Sequence, residues 1–349
     1  MEIQELLRLL CTQMSVSGSE YTAKKTLFDT FGAYFDEQFE TPLGSLIFVR
    51  RSARPNAPKL MVDAHFDEVG MLVSEILPDG FLRAANLGGL DAKAMQAGDV
   101  IIYGKKPVFG VVASTPPHLK SAADRGKAPK IGELLIDTGY DQKTLETLIR
   151  VGSPVGYAPR FTKLSGNCVC SKGLDNKASC AAALFSAAVS DLSLCFDLYL
   201  CLSAREELGG AGAFTAAYGI RPDLALILDT GFARAPDCPE LPAHTPALGE
   251  GLMLSVTAAN QRALAAHIYA LAKQAGIPLC KTAEPERTGT NSDLLTLTHG
   301  GIPTATISIP ILNMHTAAET ACTDDILAAA KLLSALYASE KLSEVYAHV

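Results

Sequence analysis

The sequence predicts an α/β protein with a mainly parallel β-sheet flanked by helices, into which a small β-barrel-like domain is inserted. Short continuous apolar runs alternate with helical patterns in the first and last parts of the chain, as expected for buried parallel strands. In between, the apolar runs are separated by Gly and Pro about every eight to twelve residues, which is typical of small all-β units. The length of 349 residues suits two domains.

The chain begins with an amphipathic helix. In MEIQELLRLL, Ile3, Leu6, Leu7 and Leu10 recur at helical spacing with charged residues between them, whereas a signal peptide has a basic start followed by an apolar run. The most apolar stretch, residues 178–189, is about twelve residues long, and a membrane span needs roughly twenty. We therefore expect a cytoplasmic protein with no membrane anchor.

The α/β domain is predicted to comprise residues 1–68 and 160–349. Buried strands of its sheet are predicted at 59–64, 198–203, 224–228 and 304–309, and helices rich in Ala and Leu at 176–190, 261–275 and 324–339. Because these helices carry polar stripes, we expect them to cover the two faces of the sheet.

The inserted β domain is predicted at residues 69–159. Its strands are expected in the segments GDVIIYG, PVFGVVAS, GELLIDTG and GSPVGYAP. The basic segment 120–130 lacks apolar periodicity, which favours a solvated loop over a ligand-binding strip.

Composition excludes several kinds of protein. With 48% hydrophobic and 19% charged residues the chain is globular, and its net charge of −7 leaves no basic surface for a nucleic acid partner. The nine cysteines are an odd number and several lie in apolar segments, which is typical of reduced, buried thiols in a cytosolic protein.

Histidine and acidic side chains lie at the ends of the predicted strands. His65 ends one strand with Asp67 two residues later, Asp229 ends another, and His315 follows a third. Functional groups of open α/β sheets collect at such carboxyl ends. Since residues i and i+2 of an extended segment face the same way, Asp67 is expected to orient His65. Each residue taken alone is equally compatible with a structural polar group.

Two further acidic positions complete the pattern. Asp175 lies where a loop meets a helix, so it is either an N-cap or a carboxylate that bridges two cations. Glu206 and Glu207 follow an apolar strand, where adjacent like charges need cations or a shared proton. Together, these residues form a mixed nitrogen and oxygen ligand set suited to two zinc-like ions.

The segments AHFDEVG, KGLDNK, REELGGAGA, LDTG and IPILNMHT resemble, in this order and spacing, the tetrahedral aminopeptidases, a family of dinuclear metallopeptidases. That family includes glutamyl and deblocking aminopeptidases and members labelled "cellulase M". The resemblance extends over nearly the whole chain, including SVSGSE, TPLGSL, PPH and GTNSD. It implies a zinc-peptidase catalytic domain with an inserted dimerisation domain, and assembly into a homododecamer.

The resemblance also implies roles for individual residues. His65, Asp175 and Asp229 would bind one divalent ion, and Asp175, Glu207 and His315 the other. Glu206 would be the general acid/base, and Asp67 the residue that orients the His65 ring. The implied ions are zinc or cobalt, with manganese as a third candidate, and the implied substrates are peptides. Three positions depart from the family pattern and leave specificity open, namely Lys177, Arg205 and the segment 311–313.

Three other functions fit the sequence less well than an aminopeptidase does. A glycosidase that uses Glu206 and Glu207 is disfavoured, because consecutive strand residues point to opposite faces whereas such carboxylates face each other across the sugar. A scaffold with a decayed site would not need the complete ligand set. A dinuclear carboxypeptidase or amidohydrolase can use the same metal core, and the resemblance favours the aminopeptidase.

Overall fold

The computed structural model describes residues 1–119, 127–188, 193–236, 241, 244–258, 260–285 and 287–342. Most of the basic segment predicted as a loop, residues 120–126, lies outside this part of the chain. The described helices are α1 Ile3–Cys11, α2 Lys24–Phe31, α3 Ala92–Met95, α4 Gln142–Leu148, α5 Leu174–Ala187, α6 Ala211–Ile220, α7 Arg262–Gln274, α8 Ser292–Leu295 and α9 Thr323–Tyr337.

The first nine described strands are β1 Glu37–Glu40, β2 Leu46–Arg50, β3 Lys59–His65, β4 Gly70–Ile76, β5 Leu82–Leu87, β6 Asp99–Tyr103, β7 Pro107–Val112, β8 Leu135–Asp137 and β9 Pro154–Tyr157. The others are β10 Phe161–Lys163, β11 Cys168–Ser171, β12 Asp197–Ser203, β13 Leu224–Phe232, β14 Leu252–Thr257, β15 Leu279–Glu284, β16 Thr304–Leu312 and β17 Glu319–Cys322.

The large sheet is mixed. Its main path runs β1-β2-β12-β3-β13-β16-β17-β11-β10, and β14 pairs with both β16 and β15. The four strands predicted from the sequence, β12, β3, β13 and β16, are adjacent and parallel, whereas β2 and β17 flank them in antiparallel orientation. The predicted α/β fold is confirmed, with parallel pairing concentrated at the centre of the sheet.

Helices cover both faces of this sheet because its central strands are apolar on both sides. In β12, Leu198, Leu200 and Leu202 join the larger core, which also includes side chains of α1, α5, α7 and α9. Tyr199 and Cys201 face the other way and pack in a second core with α6 and α8. The alternation of side chains along a strand thus assigns each residue to one of two buried layers. In the part of the chain that the structure describes, no helix is long and apolar enough to cross a membrane.

The predicted β insert is a closed barrel of six strands in the order β4-β5-β8-β7-β6-β9. It has its own core, which includes Val73, Leu82, Ile102 and Ile136. All its strands lie between residues 70 and 157, so the chain leaves the sheet after β3 and returns before β10. Closure gives every barrel strand two neighbours and removes free edges.

Candidate metal centre

The carboxyl ends of the parallel strands bring the predicted site residues together. His65 is the last residue of β3, and Asp175 lies at the start of α5. Asp229 was expected to end its strand, but β13 continues for three more residues to Phe232 because it pairs with β16 along that length. Glu206 and Glu207 form a single turn directly after β12. His315 follows β16, so strands that are distant in sequence converge on one site as the strand-end argument predicted.

Asp175 lies between the two histidines. Its Oδ1 is 3.2 Å from Nε2 of His65, and its Oδ2 is 3.2 Å from Nε2 of His315. On one side, His65 Nε2 is 3.6 Å from Oδ1 of Asp229, and on the other, His315 Nε2 is 3.2 Å from Oε1 of Glu207. Each carboxylate oxygen of Asp175 therefore faces a separate group of ligand atoms. Its side chain does not cap α5, whose N-cap is Gly173.

These groups fit divalent cations. Two ligand atoms on one tetrahedral zinc, at bond lengths of about 2.0–2.2 Å, lie roughly 3.3–3.6 Å apart, close to the separations seen here. Asp175 Oδ1 is buried and has no hydrogen-bond partner among the described residues. The three-residue groups that could hold an ion are His65–Asp175–Asp229, Asp175–Glu207–His315 and His65–Glu206–Glu207.

The mutual influence of these groups is strong. Hydrogen bonds with Asp175 and Glu207 raise the pKa of His315 to about 11. Burial tends to raise the pKa of Asp175, but its close ion-pair contacts with His315 and His65 outweigh burial, so that the pKa is lowered. Because a metal ligand must be the neutral imidazole, a cation at this site would replace the proton on each ring.

Glu206 differs from Glu207 in its surroundings. Burial raises the pKa of Glu206 to about 8. The charge of His65 acts to lower this pKa, and the charges of Asp229 and Glu207 act to raise it further. Burial also raises the pKa of Glu207, and the contact of Glu207 with His315 offsets only part of this increase. A carboxyl group that titrates near neutral pH is suited to accept and return a proton.

Asp67 holds the glutamate turn. Its carboxylate accepts hydrogen bonds from the backbone N–H groups of Glu206, at 2.9 Å, and Glu207, at 3.1 Å. Nδ1 of His65 lies 3.1 Å from the backbone carbonyl oxygen of Asp67 and 3.6 Å from its carboxylate. Burial would raise the pKa of Asp67, but hydrogen bonding and charge interaction with His65 keep it below its ordinary value. One residue thus contacts both the histidine and the two glutamates.

Sequence analysis did not identify Glu319 as part of the site. Its buried carboxylate accepts hydrogen bonds from the backbone N–H of His315, at 2.7 Å, and of Asp175, at 2.9 Å. Arg205 and His315 both have positive φ, of 60° and 64°, which non-glycine residues adopt only when the surroundings hold them. Glu319 supplies such a restraint for His315. An acidic residue at the start of the short apolar segment ETAC was the available signal.

The barrel also reaches the centre. Nδ1 of His315 lies 2.9 Å from the carbonyl oxygen of Gly89, in the loop that follows β5. A β-carbon on Gly88 would lie 3.2 Å from Oε2 of Glu207, and Gly88 has a φ of +76°, so both space and backbone conformation favour glycine there. Nothing in the local sequence pattern linked this loop to the site.

The residues of the metal cluster form part of the wall of a cavity of about 610 Å³. Residues of β13, β14 and β15 and the loop at 288–290 form other parts of its wall. A cavity of this volume, with a few convergent polar groups on one side, is typical of a small-molecule or peptide-end binding site.

The fold and this cluster define a metal-dependent hydrolase with its site at the carboxyl edge of a mixed sheet. Residues 44–332 match the family model described as M42 glutamyl aminopeptidase, and the chain belongs to that family. It is therefore a peptide hydrolase of a family that depends on divalent metal ions.

The chain is similar to named relatives over nearly its whole length. It is 31% identical to the lysyl aminopeptidase of Pyrococcus furiosus over 95% of this chain and 96% of that protein. A TET aminopeptidase from a marine-sediment thaumarchaeon has a TM-score of 0.92 and 25% identity, with 99% of each chain covered. The fold is also shared with the Pyrococcus horikoshii TET1 peptidase, which can assemble into a tetrahedron or a large octahedral shell (TM-score 0.83, 23% identity, 96% of this chain and 99% of that chain).

Proposed function

We propose that the protein is an aminopeptidase that removes N-terminal residues from peptides with the help of two divalent ions per subunit, zinc or cobalt, with manganese a third candidate. His65, Asp175 and Asp229 would hold one ion, and Asp175, Glu207 and His315 the other. The observation that carries the proposal is the carboxylate of Asp175, whose two oxygens face a different histidine each.

Bound divalent ions at such a site make water more acidic and polarise a carbonyl group. Glu206 would accept a proton from the attacking water and deliver it to the leaving amine, a role supported by its place beside the proposed ligand Glu207 and in the wall of the cavity. Asp67 would position Glu206 through the hydrogen bond from the glutamate backbone, and Glu319 would position His315 and Asp175.

The experiment that tests this proposal compares free and blocked N-termini. Aminoacyl chromogenic substrates should be hydrolysed, and their N-acetylated counterparts should not, because an aminopeptidase needs the free α-amine. Chelation should abolish the activity and added zinc, cobalt or manganese should restore it. Hydrolysis of the acetylated substrates would refute the requirement for a free α-amine, and full activity in protein shown to be metal-free by elemental analysis would refute the metal mechanism.

We further propose that residues 69–159 form the dimerisation domain and that dimers assemble into a homododecamer. The outward face of β7 carries the exposed side chains of Phe109 and Val111, an apolar strip of the kind that subunit contacts cover. The structurally similar TET1 peptidase can assemble into a tetrahedron or a large octahedral shell. Light scattering should give a mass far above the 36.8 kDa of one chain, and Phe109→Glu should reduce it. A monomeric mass for the metal-bound protein would refute this assembly.

We also propose that the protein acts in the cytoplasm. The eight described cysteines are unpaired, and Cys11, Cys180 and Cys201 are buried. Burial raises the pKa of Cys11 to about 11 and of Cys180 to about 12, so these thiols stay protonated and unreactive at neutral pH. Cell fractionation with an antibody tests this location.

A further inference from the structure

One wall of the cavity is formed by the paired strands β14 and β15. Leu254 belongs to the core beneath α7, so Ser255, the next residue of β14, faces the opposite side, which is the cavity. The parallel register places Lys281 beside Leu254 and Thr282 beside Ser255. Lys281 accordingly lies over the ring of Tyr269 in α7, with Nζ 4.0 Å from the ring centre. Thr282 and Glu284 are on the cavity face.

Only one of the two carboxylate oxygens of Glu284 accepts hydrogen bonds from the described residues. Its Oε1 accepts hydrogen bonds from Ser255 Oγ at 2.8 Å and from Thr282 Oγ1 at 3.4 Å. Its Oε2 is buried and has no hydrogen-bond partner among the described residues. A buried acceptor without a donor is unfavourable, and more so when it carries charge. This oxygen therefore favours a ligand that brings a donor, and a cation above all.

The surrounding charges strengthen that preference. The carboxylate of Asp293 is a like charge near Glu284, but its own oxygens already accept from the backbone of Thr288 and Gly289. Of the described residues that line the cavity, Glu284 is the one carboxylate outside the metal cluster, and Lys281 is the one lysine or arginine. Because Lys281 is directed to Tyr269, it does not neutralise Glu284.

We propose that Glu284 determines specificity by binding the positively charged side chain of an N-terminal lysine or arginine, and that it disfavours N-terminal aspartate and glutamate. This inference rests on the proposed aminopeptidase function and specifies its substrate class. The site holds a free α-amine at the metal cluster and the cationic side chain at Oε2 of Glu284. Hydroxyl groups of Ser255 and Thr282 hold the carboxylate in place, and the like charge opposes an acidic substrate side chain.

Lysine and norleucine provide the sharpest pair of substrates, since they have side chains of similar length and differ in charge. We expect kcat/KM for the lysyl 4-nitroanilide to exceed that for the norleucyl compound by about 10- to 100-fold, the range expected for a hydrogen bond to a charged group. The glutamyl compound should be the poorest substrate. Isothermal titration with free L-lysine and L-norleucine measures the same preference without turnover.

The decisive variant is Glu284→Gln, with Glu284→Met as a second neutral replacement of similar length. Both should bring the lysine-to-norleucine ratio close to one and leave norleucine hydrolysis within about threefold of the wild type. Lys273→Gln is the control, because Lys273 lies in the last turn of α7 and does not line the cavity, and it should leave the ratio unchanged. Thermal unfolding verifies that each variant is folded.

Two results would overturn this inference. One is a wild-type ratio near or below one while norleucyl and leucyl substrates are hydrolysed, which would leave the aminopeptidase function standing. The other is an equal change of the ratio in Lys273→Gln, which would assign the effect to the general charge of the protein. Absence of hydrolysis for every aminoacyl substrate would instead refute the proposed function, and with it the substrate class.

Discussion

Two buried charged clusters lie side by side in this molecule and are built from neighbouring residues. Asp67 belongs to the metal centre, and the next residue, Glu68, belongs to what we call the lysine cluster, formed by Glu68, Lys172 and Lys177. Lys172 Nζ is 2.7 and 2.9 Å from the two oxygens of Glu68, and Lys177 Nζ is 3.7 Å from Oε2. All three side chains are buried.

The two clusters differ in how their charges are balanced. In the lysine cluster, Lys172 also donates to the backbone carbonyl of Gln13, and Lys177 donates to Ser15 Oγ at 2.7 Å. Opposite charges keep the pKa of Glu68 below its ordinary value in spite of burial. The metal centre has a surplus of carboxylates and an unpartnered oxygen on Asp175. The lysine cluster holds one carboxylate and two ammonium groups, each of which has partners, and it is complete as it stands, whereas the acid-rich metal centre requires an external cation.

The largest effect should follow from replacing the carboxylate that both histidines contact. Asp175→Asn removes the charge shared by the two ligand groups, so we expect loss of metal and a fall in kcat/KM of about 10⁴-fold or more. Elemental analysis and kinetics on the purified variant measure both. The exposed Asp29→Asn serves as the control and should be unaffected. Full metal content in Asp175→Asn would contradict the proposed bridging role.

The next largest effects should distinguish the roles of the two adjacent glutamates. Glu206→Gln should retain metal and lose roughly 10²–10⁴ in kcat, the usual contribution of a general acid/base. Glu207→Gln should lose metal as well, since its carboxylate lies against His315. Metal content per subunit, measured beside the kinetics, distinguishes them. Equal metal loss in both variants, or an active Glu206→Gln enzyme, would show that the base has been assigned to the wrong residue.

The sheet and the site could be foreseen because both depend on local pattern. Apolar runs predicted β3, β12, β13 and β16, and a strand buried on both faces ends where polar residues begin. Since the carboxyl ends of parallel strands meet at one edge, the strand-end residues were expected to converge, and they do. The four barrel strands marked by Gly and Pro were predicted on the same basis.

Contacts made across the fold could not be foreseen. Strand alternation predicted that Asp67 orients His65, and the Asp67 carboxylate lies 3.6 Å from Nδ1 of His65. The same carboxylate also accepts from the backbone of the glutamate turn, a contact that alternation does not predict. Glu319 contacts His315 and Asp175 from the next strand, and Gly89 approaches from the barrel. Local periodicity carries no information about such tertiary pairs.

Loss of the carboxylate in the lysine cluster should lower the stability of the folded protein. Glu68→Gln leaves two buried ammonium groups without their counter-charge, and breaking a buried ion pair from one side lowers the free energy of unfolding by about 3–5 kcal/mol. Denaturant unfolding followed by circular dichroism measures the change. The double variant Glu68→Gln with Lys172→Met should regain part of the loss. Metal stoichiometry should stay at the wild-type value in any Glu68→Gln protein that folds, because Glu68 contacts none of the proposed ligands.

Gly173 lies in close contact with the carboxylate of the lysine cluster. A β-carbon there would lie 2.3 Å from Glu68 Oε2, and the residue has a φ of +65°. The close approach of the loop before α5 therefore depends on the missing side chain. That loop leads directly to Asp175, so the two clusters lie within a few residues of each other along the chain.

The effect of metal removal on stability tests the comparison of the two clusters most directly. An ion that binds only the folded protein adds about 2.7 kcal/mol to the free energy of unfolding when its free concentration is 100 times its dissociation constant. Chelation should therefore destabilise the wild type by about that amount for each of the two ions, and Glu206→Gln equally, because its ligands are intact. It should leave Asp175→Asn unchanged, since that variant has no metal to lose. Differential scanning calorimetry with and without chelator measures all three proteins. If chelation destabilised Asp175→Asn as much as the wild type, the ions would bind elsewhere, and the surplus of acid at the strand ends would need another explanation.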